Sequence, residues 1–215
     1  MSKQSLSLAD KAYEAIKNNI LNLTYPPGMP FTETALATEL GMSRSPIRTA
    51  IKMLQTEGLI TTDYHKSLTV KGITDEDINE MFQLRELIEG AAFQTIFTSG
   101  RFEEYSYRLE EKVVRMCAVA NDIFAWEVAD TNMHMEIISI YDNHRITRIY
   151  ENNLSELIRI GQISVRHGMG IQKTNQNLKT MVSYMRKNEY EKAYHILKKD
   201  HFTIAKDSAL KGSLE

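Results

Sequence analysis

The stretch TETALATELGMSRSPIRTAIKMLQTEGLI, residues 32–60, decides the fold of the first third of the chain. Thr32 offers a side-chain oxygen to cap a helix over Glu33–Leu40, whose buried positions are Leu36 and Leu40. Gly41 suits the left-handed residue that ends such a helix, and Ser43 can cap the next one. That next helix, Arg44–Glu57, lines up Ile47, Ala50, Ile51 and Leu54 on one side until Gly58 stops it. Pro46 is accommodated because first-turn N–H groups have no partner within the helix. Upstream, Leu8–Leu23 reads as a helix with Ala12, Ile16, Ile20 and Leu23 along one face, broken by Tyr25-Pro26-Pro27-Gly28. Downstream, Leu59–Thr62 and Ser67–Val70 read as two strands around a polar tip, Asp63–Lys66.

Two short helices joined by a tight glycine turn and followed by a β-hairpin make a winged helix-turn-helix. The apolar face seats the second helix, so Arg44, Ser45, Arg48, Thr49 and Lys52 point outward. Arg44 and Arg48 lie four residues apart, on one side of the end that enters a DNA major groove. A guanidinium can make two parallel hydrogen bonds to guanine, whereas Ser45 and Lys52 suit phosphates.

Charge gives this reading limited support. The whole chain carries a net −2, yet residues 1–72 hold eight Lys/Arg against six Asp/Glu, so the basic excess sits at the N-terminal end. All four prolines lie within the first 46 residues, and helical periodicity dominates beyond Gly72. The expected organisation is therefore a winged helix-turn-helix over 1–72 and an all-α bundle over 73–215, a mainly α chain. Helices are expected at about 74–99, 102–120, 122–141, 143–168, 174–188 and 190–209, with Asp75-Glu76-Asp77 after Thr74 favouring the first helix start. No apolar run is long enough to span a bilayer, no signal-like core opens the chain, and Cys117 stands alone. A cytoplasmic protein is expected.

The pattern Pro27-Gly28, Thr34-x-Leu36-Ala37-x-x-Leu40-Gly41-Met42-Ser43-Arg44-Ser45-Pro46-Ile47-Arg48-x-Ala50-Ile51-x-x-Leu54-x-x-Glu57-Gly58-Leu59-Ile60 closely resembles the GntR family of transcription regulators. The resemblance implies base contacts by Arg44 and Arg48 and backbone contacts by Ser43, Ser45 and Thr34. It also implies a wing, Tyr64-His65-Lys66, that approaches the minor groove. Ser67 stands where the family often has glycine. A single reading helix covers few base pairs, so a homodimer on a pseudo-palindromic operator is expected.

Residues 74–92, Thr74-x-x-Asp77-Ile78-x-x-Met81-x-x-Leu84-Arg85-x-x-Ile88-Glu89-x-x-Ala92, resemble the first helix of the FCD domain, the effector-binding bundle of FadR-like members. That resemblance implies a small-molecule effector, with a carboxylate the expected class, and a divalent metal: Zn, Ni or Mn. Asp130 and His134 fit the first two ligand positions and share a helix face. The third falls at Asn177-Leu178, and the fourth at Asp200 with His201 one residue late. One residue turns a helical side chain by about 100°, so either the alignment slips near Asn188 or the site is altered. His201, or Asp200 with water, would complete the shell. Arg85 shares a face with Ile78, Phe82 and Ile88; its partner is either Glu89 or an effector carboxylate. His144, His167 and His195 read as helix-end or surface residues.

Two other functions compete. A metal-dependent hydrolase built on Asp130, His134 and His201 lacks a glutamate base in a recognisable motif and leaves the winged helix unexplained. A constitutive DNA-binding dimer would need no effector.

Overall fold

A computed structural model describes residues 6–62 and 67–212. The chain divides into two compact units, Met1–Ile73 and Thr74–Glu215.

The first unit is built from α1 (Leu8–Leu21), β1 (Pro30–Phe31), α2 (Glu33–Glu39), α3 (Arg44–Thr56), β2 (Ile60–Thr62) and β3 (Leu68–Val70). Ser7 and Asp10 form a reciprocal capping box on α1, and the Thr32 side chain accepts from Ala35 N–H at 3.1 Å to start α2. α1 ends two residues earlier than expected. Leu23 turns left-handed and half-exposed, and Tyr25 is buried in its place. The sheet has a third strand that periodicity missed, because two residues are too few to show alternation. Its order is β1-β3-β2, antiparallel, with Pro30 opposite Thr69 and Ile60 opposite Val70. Ala12, Ile16 and Ile20 of α1 pack with Leu36, Ile47, Ala50, Ile51, Leu54, Leu59 and Val70 into a closed core. Truncating Ile16, Ile47 or Leu54 to alanine there removes about 2–5 kcal/mol.

The second unit is helical throughout its described residues: α4 (Asp75–Thr98), α5 (Phe102–Ala118), α6 (Ile123–Ile138), a 3₁₀ turn Ser139–Tyr141, α7 (His144–Glu151), α8 (Leu154–Arg166), α9 (Ile171–Arg186), α10 (Tyr190–His195), a π-helical segment Ile196–Thr203 and α11 (Ile204–Gly212). Thr74 and Asp77 cap α4 reciprocally, as the acidic start suggests. The helix expected at 143–168 is two helices. Asn152 caps the end of α7, Asn153 opens α8, and the side chain of Asn153 bonds back to the Ile149 carbonyl. Helix α6 packs against α4, α5 and α8, which sets its inner face at the heart of the bundle. Trp126, Met133 and Ile137 fill that face with no exposed surface, and the Trp126 indole N–H donates to Asn175 at 2.9 Å.

Candidate functional site

Burial of Ile47, Ala50, Ile51 and Leu54 turns Arg44, Ser45, Arg48, Thr49 and Lys52 to the exposed side of α3. Ser43 occupies the N-cap position with extended backbone but makes no side-chain capping bond, and Thr34 is exposed in the first turn of α2. Arg48 is held rather than loose. Its Nε and Nη2 donate to the Glu33 carboxylate at 2.9 and 2.8 Å, and Arg44 Nη2 lies 3.6 Å from the same group. Hydrogen bonding to Arg48 and the charges of both arginines keep the Glu33 carboxyl below its usual range. Glu33 escaped the sequence reading because it precedes the reading helix and belongs to no periodic face. Tyr64, His65 and Lys66 lie outside the described residues.

In the bundle, Glu127, Asp130 and His134 sit at i, i+3 and i+7 of α6, on one stripe, and all three are buried. His201 meets them from the π-helical segment. The extra residue that displaced it from the expected spacing is absorbed there. Between Ile196 and Thr203 the backbone widens, and Thr203 Oγ1 bonds the Lys198 carbonyl five residues back at 2.9 Å. His201 therefore faces His134, whereas Asp200 lines an outer groove with Asn177 and His195. Asp200 is excluded from the inner group by that placement. Leu178 is fully buried on α9 and offers no donor. His144 and His195 are exposed, and His167 is half-buried at the end of α8.

Nε2 of His134 and Nε2 of His201 approach to 2.8 Å, with Asp130 oxygens 3.3 and 3.4 Å from them. One donor atom from each of the three residues falls within 4.8 Å of the others. Behind His134, Nδ1 is 2.5 Å from Glu89 Oε2, while Glu89 Oε1 accepts from Arg85 Nε and the Tyr150 hydroxyl, both at 2.8 Å. Arg85 is thus paired with Glu89, its guanidinium lying 4.4 Å from the Phe202 ring centre, yet its buried Nη2 makes no hydrogen bond. A cavity of about 20 Å³ is lined by Arg85, Glu127, Asp130, His134, Tyr150 and His201 among others, room for a single ion or water.

Charge is balanced unevenly across this cluster. Burial would raise Glu89, but Arg85 and His134 outweigh it and bring its carboxyl down to about 2. Burial likewise opposes ionisation of Asp130, and the two imidazoles hold it far below the usual range. Burial lowers His134, but the Glu89 carboxylate reverses the direction and raises it; burial prevails at His201, which is lowered. Glu127 is pushed well up by burial and by Asp130. The arrangement can hold a divalent cation: two imidazole nitrogens and a carboxylate converge, and buried Asp130 Oδ1 has no hydrogen-bond donor. Glu89 and Tyr150 were not read from the sequence as supports of His134, since nothing local links three different helices. Glu127 was legible as the third member of an i, i+3, i+7 stripe.

Comparison with known proteins matches both halves. Residues 8–70 fit the profile of "Bacterial regulatory proteins, gntR family", and residues 80–201 fit the "FCD domain". The chain is 28% identical over 152 residues to the HTH-type transcriptional regulator YdhC of Bacillus subtilis, covering 69% of this chain and 68% of that one. It is also 28% identical over 144 residues to the gluconate operon transcriptional repressor of the same organism, covering 66% of this chain and 58% of the repressor. A crystal structure of a GntR transcriptional regulator from Rhodococcus sp. RHA1 shares the fold, with TM-score 0.75 at 18% identity over 96% of this chain and 99% of that one. Among the described residues no helix is long and apolar enough to cross a membrane.

Proposed function

The chain belongs to the GntR family of DNA-binding transcription regulators and carries an FCD domain, and from that premise we propose that a divalent ion at Asp130, His134 and His201 couples effector binding to operator affinity. The convergence of these three buried side chains on one point carries the reading. Such an ion supplies a Lewis-acid anchor for a carboxylate effector, and Arg85 Nη2 offers a second anchor beside it. Glu89 orients His134 from behind, and Arg85 and Tyr150 orient Glu89 in turn.

The cavity decides how such an effector acts. About 20 Å³ admits an ion but not an organic molecule, since ligand pockets run to several hundred Å³. Effector entry must therefore displace bundle side chains, and that displacement is the differential interaction a two-state regulator requires. On the DNA side, Arg44 and Arg48 read bases, Ser43, Ser45, Thr34 and Lys52 hold phosphates, and a homodimer spans two half-sites of a pseudo-palindromic operator. Repression is the expected outcome, in line with the gluconate operon repressor.

The test is a thermal melt of the full chain with Zn²⁺, Ni²⁺ or Mn²⁺ against a chelator control. An ion at 100 times its Kd adds about 2.7 kcal/mol to the unit that binds it. The bundle transition should rise with at least one of the three ions and stay put in His134→Ala. A wild-type melt unmoved by all three would overturn the ion and leave Arg85 as the remaining carboxylate anchor.

A further inference from the structure

Glu127 is a buried acid for which the ion at Asp130, His134 and His201 gives no role. Its side chain is 3% exposed, lines the same cavity as Asp130, His134 and His201, and its Oε1 has no hydrogen-bond partner. A carboxylate so placed is costly unless something compensates it. The fold makes room for it at a specific expense. Gly161 of α8 faces the carboxylate, and a Cβ there would lie 1.9 Å from Glu127 Oε2. An alanine at that position would force the carboxylate to turn, so the bare backbone of α8 is what lets the acid sit there. Burial and Asp130 oppose its charge and Arg85 favours it, but Arg85 is already engaged by Glu89.

A cation in the cavity resolves all of these. We propose that Glu127 is a further protein ligand of the bundle's divalent ion, supplying from α6 the donor that Leu178 cannot supply from α9. The inference rests on the ion-binding reading above. It makes the site two imidazoles and two carboxylates rather than an imidazole-dominated one, a donor set that shifts preference toward harder ions such as Mn²⁺. The three donors that already lie together belong to Asp130, His134 and His201, and Glu127 joins them by turning its carboxylate along the cavity.

Isothermal titration of the full-length protein with Mn²⁺, Ni²⁺ and Zn²⁺ separates the possibilities. Glu127→Gln keeps the shape and removes the charge. It should weaken Mn²⁺ at least about tenfold, weaken Zn²⁺ and Ni²⁺ less, and leave the melting temperature in chelator unchanged or higher. Equal affinities of wild type and Glu127→Gln for all three ions would overturn the role of Glu127 while leaving the ion itself intact. Absence of binding by the wild type would remove the ion-binding reading and this inference with it. A second measurement does not depend on the variant. In a crystal of the wild-type protein soaked in ZnCl₂, a Glu127 oxygen should lie within about 2.2 Å of the ion, and one beyond hydrogen-bond reach of it would overturn the proposal.

Discussion

Glu33 ties the exposed arginines of α3 to the helix before it, and on the proposed base contacts this bears on how bases are selected. Arg48 is bound through two nitrogens to the Glu33 carboxylate, so on the proposed base contact its guanidinium would meet DNA already oriented. Arg44→Ala and Arg48→Ala should each cost about 1–3 kcal/mol of operator affinity and relax base preference at one position per half-site. Lys52→Ala should weaken every sequence alike and reduce the salt slope by about one. Glu33→Gln removes a negative charge from the DNA-facing side and frees Arg48. Fluorescence anisotropy should then show tighter binding to scrambled duplex and a smaller preference for operator, and unchanged ratios would show that Glu33 has no orienting role. The imidazoles add a pH dependence of known sign. Ligation needs neutral nitrogen, and the Glu89 carboxylate raises His134 above its ordinary value. Metal affinity should fall as pH drops through that raised value, and in Glu89→Gln the fall should begin at lower pH. Titrations repeated between about pH 8 and pH 6 bracket the ordinary histidine value and check the shift.

At the scale of the element, the π-helical segment Ile196–Thr203 makes a prediction opposite to ordinary helix logic. Deleting a residue from an α-helix rotates everything beyond it by about 100° and should destroy a site built on both sides of the cut. Here the segment already holds one residue more than an α-helix would between Ala193 and His201, so deletion of exposed Lys199 lets the backbone tighten while His201 keeps its direction. The deletion variant should retain Zn²⁺ binding and melt no lower than wild type, because it returns a rare π-type departure to α geometry. Loss of binding with helical content preserved by circular dichroism would show that the wide turns themselves aim His201. Legibility followed the same division. The α3 face was readable because a local period of 3.6 separates Ile47 and Leu54 from Arg44 and Arg48. His201 falls out of register at α spacing because no local signal distinguishes π from α. The break at Asn152-Asn153 was hidden for a related reason, since no proline or glycine marks it and apolar periodicity resumes at once.

At the scale of the whole molecule, each unit closes its own core, Ala12 to Val70 in one and the α4–α11 bundle in the other. Calorimetry should accordingly show metal shifting the transition of the bundle while that of the DNA-reading unit stays fixed, and a single transition moving as one would show the two to be thermodynamically fused. Asp130, His134 and His201 were legible through the family resemblance, but the support that Glu89 and Tyr150 give His134 was not, because those three residues come from α4, α7 and α6, which only the packed bundle brings together. Gly161 carries a last consequence, for how such chains diverge. Since its missing side chain houses the Glu127 carboxylate, the two positions are not free to drift separately. A side chain gained at 161 pushes that carboxylate off α8, either turning it along the cavity or favouring a shorter residue at 127. Descendants that keep glutamate at 127 beside a larger residue at 161 should therefore be those whose acid has turned toward the ion.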